Sequence, residues 1–213
     1  MRAIFLDRDG VICENRPDHV KSWAEFRFLP GVMPGLAQLA GTEFATVVIT
    51  NQAVINRGVV SADTVTDIHT RMLGEVRRAG GRIDRVMVCL HRPSERCDCR
   101  KPKPGLILQA AAEMGIDLTR SYLIGDTVTD MQAGLAVGCQ CLMVLTGRGM
   151  NQSARAMRDT QMDFRFTRDL QHAVKTILYL EAFGADPAGA PVSIARPSVA
   201  QPLVIPALPG HAS

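Results

Sequence analysis

Two aspartates two residues apart, Asp7 and Asp9, follow the apolar run Ala3-Ile4-Phe5-Leu6 and precede Gly10, where a chain can turn sharply. A carboxylate so placed can attack phosphorus. Its neighbour can protonate the departing oxygen and later activate water, which splits one slow hydrolysis into two faster steps. Asp7 is therefore read as the nucleophile and Asp9 as the acid-base group. The string alone is ambiguous, because turns also favour Asp and Gly. Three later segments give it meaning. The run Val47-Val48-Ile49 delivers Thr50, Asn51 and Gln52. Thr50 can hold a phosphate oxygen, Asn51 and Gln52 can add donors, and Arg57 with Gly58 can close over the ligand. Arg100 and Lys101 stand just before a helical pattern whose free N–H groups already favour an anion. Lys101 is read as neutralising the transferring phosphoryl group and Arg100 as gripping the rest of the substrate. Finally, Tyr122-Leu123-Ile124-Gly125 carries Asp126 out of an apolar run. Magnesium takes oxygen ligands and keeps several waters, so Asp7, the backbone carbonyl of Asp9 and Asp126 would suffice to hold it beside a phosphate. Asp130, four residues on, orients that loop, contacts a metal-bound water or caps the next helix.

These residues need elements that bring four distant segments to one edge. Short apolar runs alternate with helical patterns: strands at 3–6, 45–49, 86–90, 121–124 and 139–145, helices near 32–39, 62–78, 105–114 and 129–136. Near-continuous apolar strands separated by helices predict a doubly wound α/β fold, with a mostly parallel sheet covered on both faces and chemistry outside the carboxyl ends of its strands. A helix near 153–158, an edge strand at 163–166 and a last helix capped by Asp169 and running through Phe183 complete the expected domain, 1–183. Beyond it, prolines at 187, 191, 197, 202, 206 and 209 exclude regular structure, and 184–213 is expected to be a disordered Pro/Ala-rich tail.

The chain is long enough for one sizeable core, with 46% hydrophobic residues and a formal net charge of +3 spread along its length. No block of basic residues advertises a nucleic-acid or membrane surface, and no apolar stretch reaches the ~18 residues of a membrane span. The amino terminus reaches acid before a signal-type apolar core can form, so a cytoplasmic protein is expected. Cys89, Cys97 and Cys99 crowd one short segment, which in a reducing compartment favours metal binding over disulfides; Cys139 and Cys141 read as buried strand cysteines. His69 and His172 fall in helical patterns and read as ordinary core or surface residues. Trp23 and Phe26 should pack under the substrate loop.

In the order nucleophile, hydroxyl, lysine and metal acid, these segments resemble the haloacid dehalogenase superfamily over roughly 3–148. Within it they are most similar to the phosphatases acting on heptose bisphosphate and on histidinol phosphate. The resemblance implies a Rossmann-like haloacid dehalogenase fold and places Asp7, Asp9, Thr50, Arg100, Lys101 and Asp126 on the family's motif positions. It also implies a zinc loop, here Cys89, His91, Cys97 and Cys99. Three thiolates and one imidazole form a closed tetrahedral set with no position left for chemistry, which makes the zinc structural. Because Cys99 directly precedes Arg100 and Lys101, fixing its sulfur would fix where the cations point. The implied reaction removes the 7-phosphate of D-glycero-D-manno-heptose 1,7-bisphosphate, with histidinol phosphate or another small sugar phosphate as the alternative. Three departures bear on the substrate. Thr127 stands where the heptose enzymes carry a Lys. The segment 13–20, from which Asn15 and His19 could reach the substrate, differs from the usual sugar-contacting run. Ala53-Val54-Ile55-Asn56 replaces smaller residues after Gln52.

A receiver-type module that stores a phosphoryl group has no need of Asp9, and a purely zinc-dependent binding module has no need of the other motif residues. A phosphomutase would carry a large cap domain, for which the short segments after Gly10 and after the third strand leave no room, and an open pocket admits water. The expected partner is a small phosphorylated metabolite, without nucleic acid or membrane, and the chain is expected to act as a monomer.

Overall fold

The computed structural model describes residues 1–158 and 162–184. Strands β1 (Ala3–Leu6), β2 (Ala45–Asn51), β3 (Arg85–Cys89), β4 (Tyr122–Gly125), β5 (Gln140–Val144) and β6 (Arg165–Thr167) form one parallel sheet in the order β3-β2-β1-β4-β5-β6. Helices α1 (Val32–Ala40), α2 (Ala62–Arg78), α3 (Gly105–Met114), α4 (Val128–Leu135), α5 (Gly149–Ala156) and α6 (Leu170–Phe183) connect and cover it. The doubly wound α/β reading holds. Its boundaries move in places: β2 continues two residues past the apolar run to Asn51, α5 begins at Gly149 instead of near 153, and the edge strand lies at Arg165–Thr167. The proline-rich segment lies outside the described residues.

The strands are apolar throughout because both faces are covered. Ile4, Leu6, Val48, Ile124, Leu142 and Val144 pack with residues of α1, α2 and α6 on one side. Phe5, Val47, Ile49, Leu123 and Met143 pack with residues of α3 and α4 on the other. Each such fully buried aliphatic contributes about 1.5–3 kcal/mol. Local chemistry starts the helices: the Ser61 hydroxyl accepts from the Thr64 amide at 3.1 Å, and the Asp169 carboxylate from the His172 amide at 2.9 Å. Among the described residues no helix is long and apolar enough to cross a membrane.

Register then sets the site. Leu6 pairs with both Val48 and Ile124 at the centre of the sheet, so Asp7, Thr50 and Asp126 all emerge at one carboxyl edge. Asn51 pairs with Cys89, which brings the start of the cysteine segment to the same edge. The connection from β1 to α1 holds only a short 3-10 turn, Trp23–Glu25, and among the described residues no cap domain stands over the edge. Trp23, Phe26 and Phe28 form an aromatic cluster within that connection, with Trp23 stacked on Phe26 at 5.1 Å.

Candidate active site

At the sheet edge one cation is held between two acids. The Lys101 ammonium, 4% exposed, lies 2.8 Å from Asp7 Oδ1 and 2.6 Å from Asp130 Oδ1, and it donates to the Ile49 carbonyl at 3.0 Å. Burial alone would lower its pKa, but Asp130 and Asp7 outweigh it and hold the lysine protonated well above its usual range. Asp7, Asp126 and Asp130 present carboxylate oxygens within 4.8 Å of one another. Burial, reinforced by Asp130 and Asp9 and partly offset by Lys101, raises Asp7 to about 7. Burial, then Asp7 and Asp130, raises Asp126 to about 8. Three acids facing one lysine therefore leave an excess of negative charge that a cation would relieve.

One oxygen shows where that cation belongs. Asp126 is fully buried, and its Oδ2 accepts from the Arg148 amide at 2.8 Å, while its Oδ1 has no hydrogen-bond partner among the described residues. A buried, unsatisfied carboxylate oxygen beside two more carboxylates fits a hard divalent ion. The approach is close. A Cβ on Gly10, whose φ is +91°, would lie 2.0 Å from Asp126 Oδ2, and Gly147 packs its backbone directly against Gly10. Thr146 seals the contact by donating its hydroxyl to the Gly10 carbonyl at 2.7 Å.

Asp9 faces away from this cluster. Arg8 Nη2 holds both its oxygens, at 2.9 and 3.0 Å, and Gln52 donates to Oδ2 at 2.7 Å. Burial would raise the Asp9 carboxyl, but the Arg8 charge and the hydrogen bonds from Arg8, Gln52 and Cys13 outweigh it and keep the group below the ordinary carboxylate range. Gln52 also donates to the Thr50 hydroxyl at 2.8 Å. Expected to reach substrate, Gln52 is instead a buried brace between Thr50 and Asp9. Asn51 lines the cavity, and its side chain makes a reciprocal pair with the backbone of Lys101, both contacts at 3.2 Å.

Asp130 is used on both oxygens, one in the helix-start role expected of it and the other in a contact with Lys101 that was not expected. Oδ1 meets Lys101, while Oδ2 accepts from the Thr127 amide and hydroxyl at 3.0 and 2.6 Å in a reciprocal cap of α4. Thr127, standing where a lysine was expected, is thus a helix cap that also borders the cavity.

The cavity above these acids has a volume of about 700 Å³, and Asn15, His19 and Arg100 are among the residues that line it. Apart from Asp7, Asp9, Asp126 and Asp130 at its floor, every charged residue that lines it is basic. Arg57 does not line it. Val54, Val60 and Val65 form a small core of their own beneath that loop, which leaves Arg57 at an exposed tip. Arg16, Arg92, Arg96 and Arg148 do line the cavity and were not singled out in the sequence. The signal for Arg148 was available: Thr146-Gly147-Arg148 directly follows the apolar run of β5, at the same edge as the other motifs.

Beside the cavity, Cys89, His91, Cys97 and Cys99 converge as the spacing suggested. Cys99 Sγ lies 3.2 Å from both Cys89 Sγ and His91 Nδ1 and 3.5 Å from Cys97 Sγ, while Cys89 Sγ is 3.7 Å from both Cys97 Sγ and His91 Nδ1. Neighbouring ligand atoms around a tetrahedral ion with ~2.3 Å bonds to sulfur and ~2.0 Å bonds to nitrogen are roughly 3.5–3.8 Å apart. The four side chains are thus set for such an ion with little movement. Glu95 fastens the loop further, accepting from the Arg92 amide at 2.6 Å and from the Asn56 side chain at 2.7 Å. Arg100 donates to the His91 carbonyl at 3.1 Å, which couples the cluster to the cavity.

Residues 98–173 match the HAD-hydrolase-like family. A D-glycero-beta-D-manno-heptose-1,7-bisphosphate 7-phosphatase of Pseudomonas putida is 36% identical over 164 residues, covering 77% of this chain and 94% of the relative. Its counterpart in Neisseria meningitidis is 40% identical over 149 residues, covering 70% and 80%. Among solved structures, the D,D-heptose 1,7-bisphosphate phosphatase of B. bronchiseptica, complexed with magnesium and phosphate, superposes with a TM-score of 0.79 at 32% identity, covering 84% of this chain and 99% of that one.

Proposed function

We infer the reaction from a settled premise: the chain belongs to the haloacid dehalogenase-like phosphatases, among the D-glycero-beta-D-manno-heptose-1,7-bisphosphate 7-phosphatases. Its own reaction is then the removal of the 7-phosphate of that heptose bisphosphate. The observation that carries the mechanism is the cluster of Asp7 and Lys101 beside the unpartnered oxygen of Asp126.

Asp7 attacks the phosphorus with one carboxylate oxygen. As the new O–P bond forms, the ester P–O bond breaks, and the sugar oxygen leaves with a proton from Asp9. The aspartyl-phosphate is then hydrolysed: Asp9 removes a proton from water, the resulting oxygen attacks phosphorus, and Asp7 is released as carboxylate with inorganic phosphate as product. Lys101 and Thr50 hold the non-bridging oxygens, and Lys101 offsets the charge that gathers on them. The Arg8 clamp favours the ionised Asp9, the form that serves as base in the second half. In the first half the carboxyl must carry a proton, so it turns from Arg8 toward the leaving oxygen. Asp7, the Asp9 carbonyl and Asp126 would hold magnesium, with Asp130 bordering it. Bound there, the ion would supply the positive charge that favours ionised carboxylates and a polarised phosphate. Zinc on Cys89, His91, Cys97 and Cys99 would shape the loop that carries Arg100 and Lys101.

The basic mouth supports a substrate with a second anionic group. Arg96, Arg100 and Arg148 suit a distal phosphate, whereas histidinol phosphate would present a cationic amine to the same surface. Six free thiols among the described residues suit a reducing, cytoplasmic setting. The test is phosphate release, with and without magnesium, from both anomers of the heptose bisphosphate, from histidinol phosphate and from sugar monophosphates. Preference for the beta bisphosphate by about 100-fold, with loss of the C7 phosphorus signal by NMR, is expected. Faster turnover of histidinol phosphate would overturn the substrate, and no turnover of any would overturn the reaction.

A further inference from the structure

Arg8 enters the steps above only through its hold on Asp9, and His69 takes no part in them, yet both lie buried beside them. Arg8 is 1% exposed, and its Nη2 carries the bidentate contact to Asp9. Its Nη1 lies 3.0 Å from Nε2 of His69 on α2. A guanidinium has only donors, so Nε2 must offer its lone pair, which places the imidazole proton on Nδ1. Burial, then the Arg8 charge, pushes the imidazole down to about 4 and keeps it neutral. Arg8 Nε has no partner among the described residues. Two anchors therefore set the plane of the guanidinium. Asp9 changes protonation state twice per turnover, whereas His69 does not. The neighbours of His69 on the buried stripe of α2 are Val65, Ile68, Met72 and Val76, so packing alone would be met there by an aliphatic residue.

We propose that His69 is a positioning residue, whose Nε2 fixes Arg8 so that Asp9, after turning to protonate the leaving oxygen, returns to one orientation for hydrolysis of the aspartyl-phosphate. The proposal rests on Asp9 as the acid-base group. It predicts a defect confined to the steps that need Asp9. 4-Nitrophenyl phosphate separates them, because its leaving group departs without a proton while the aspartyl-phosphate still needs a base for hydrolysis. In His69→Leu, and in the parallel non-accepting variant His69→Met, a rapid release of about one 4-nitrophenolate per enzyme is expected. A steady rate about 10- to 100-fold below that of the parent protein should follow. His69→Gln, whose amide oxygen can accept from Arg8, should recover most of that rate, and if His69→Leu does not fold the comparison is made between Met and Gln. Asp9→Asn serves as the reference and should show the burst with little turnover. A non-accepting variant that keeps the parent rate, or slows without a burst, would overturn the proposal. So would a Gln variant as slow as Met. Absence of a burst in Asp9→Asn would remove the acid-base reading itself and the proposal with it, whatever the His69 variants do.

Discussion

The floor of the cavity and the cysteine loop beside it are both clusters of would-be metal ligands, yet they are held in opposite ways. Asp7, Asp126 and Asp130 stand at the ends of buried strands or at a capped helix start, where the apolar sheet positions them whether or not an ion is bound, and Lys101 reaches them from the turn that follows Cys99. The cysteine loop spans an exposed 3-10 turn, Pro93–Glu95, with few apolar contacts of its own. Its shape depends on four ligand side chains and on hydrogen bonds through Glu95. In the first region, losing a side chain should remove chemistry and leave shape. In the second, it should remove shape first and chemistry only through Arg100 and Lys101.

The strongest challenge to this contrast is Asp7→Asn. Phosphate release should fall by at least about 10⁴-fold, while circular dichroism and thermal unfolding stay close to those of the parent protein; an unfolded variant would show that the floor is no rigid scaffold. Lys101→Met comes next. It leaves Asp7, Asp126 and Asp130 facing one another without their cation, so activity should drop by about 10²–10³-fold and stability by about 3 kcal/mol, read from denaturant titration. Cys97→Ser acts on the other region. Zinc content by elemental analysis should fall to near zero, and activity should drop by about tenfold. Proteolytic cleavage should appear within 90–98, and intact resistance to protease would break the contrast from that side.

The last test is of pH dependence, and it bears on stability alone. The folded value of about 8 for Asp126 lies above its ordinary 3.8, so between those limits the folded protein keeps a proton that the unfolded chain gives up. Its contribution to stability is present at low pH and is lost as pH rises through that window, by up to about 1.4 kcal/mol per pH unit. Asp7, raised to about 7, acts in the same direction. In magnesium-free buffer the parent protein should therefore lose stability from pH 5 to 8. Both Asp126→Asn and added magnesium should flatten the slope, and a stability that rises over this range without magnesium would contradict the charge excess at the floor.

Much of the floor was legible in the sequence because an apolar run that ends abruptly in a carboxylate or hydroxyl marks a strand end, and parallel strands share one edge. Asp7, Thr50 and Asp126 follow from that rule, and the cysteine loop follows from ligand spacing. Loop direction did not follow. Arg57 was expected over the ligand, but Val54 and Val60 turn its loop outward. Gln52 was expected to touch substrate, but it is drawn inward by Thr50 and Asp9. His69 was read as an ordinary helical histidine, since its periodicity shows that α2 has a buried face and not what that face meets. Only the tertiary fold, which sets α2 beside the segment that follows β1, brings it to Arg8.

The contact of Gly147 with Gly10 has a consequence for timing. All the carboxylates of the floor have been synthesised by residue 130, but the wall that closes on Asp126 comes from the strand and loop that end at residue 148. On the ribosome the half-made enzyme would carry its nucleophile with no completed pocket around it. Activity is thereby deferred until the sheet has gained its fifth strand. Chains ending before Thr146 should be unable to release phosphate, and those ending at Gly184 should be able to.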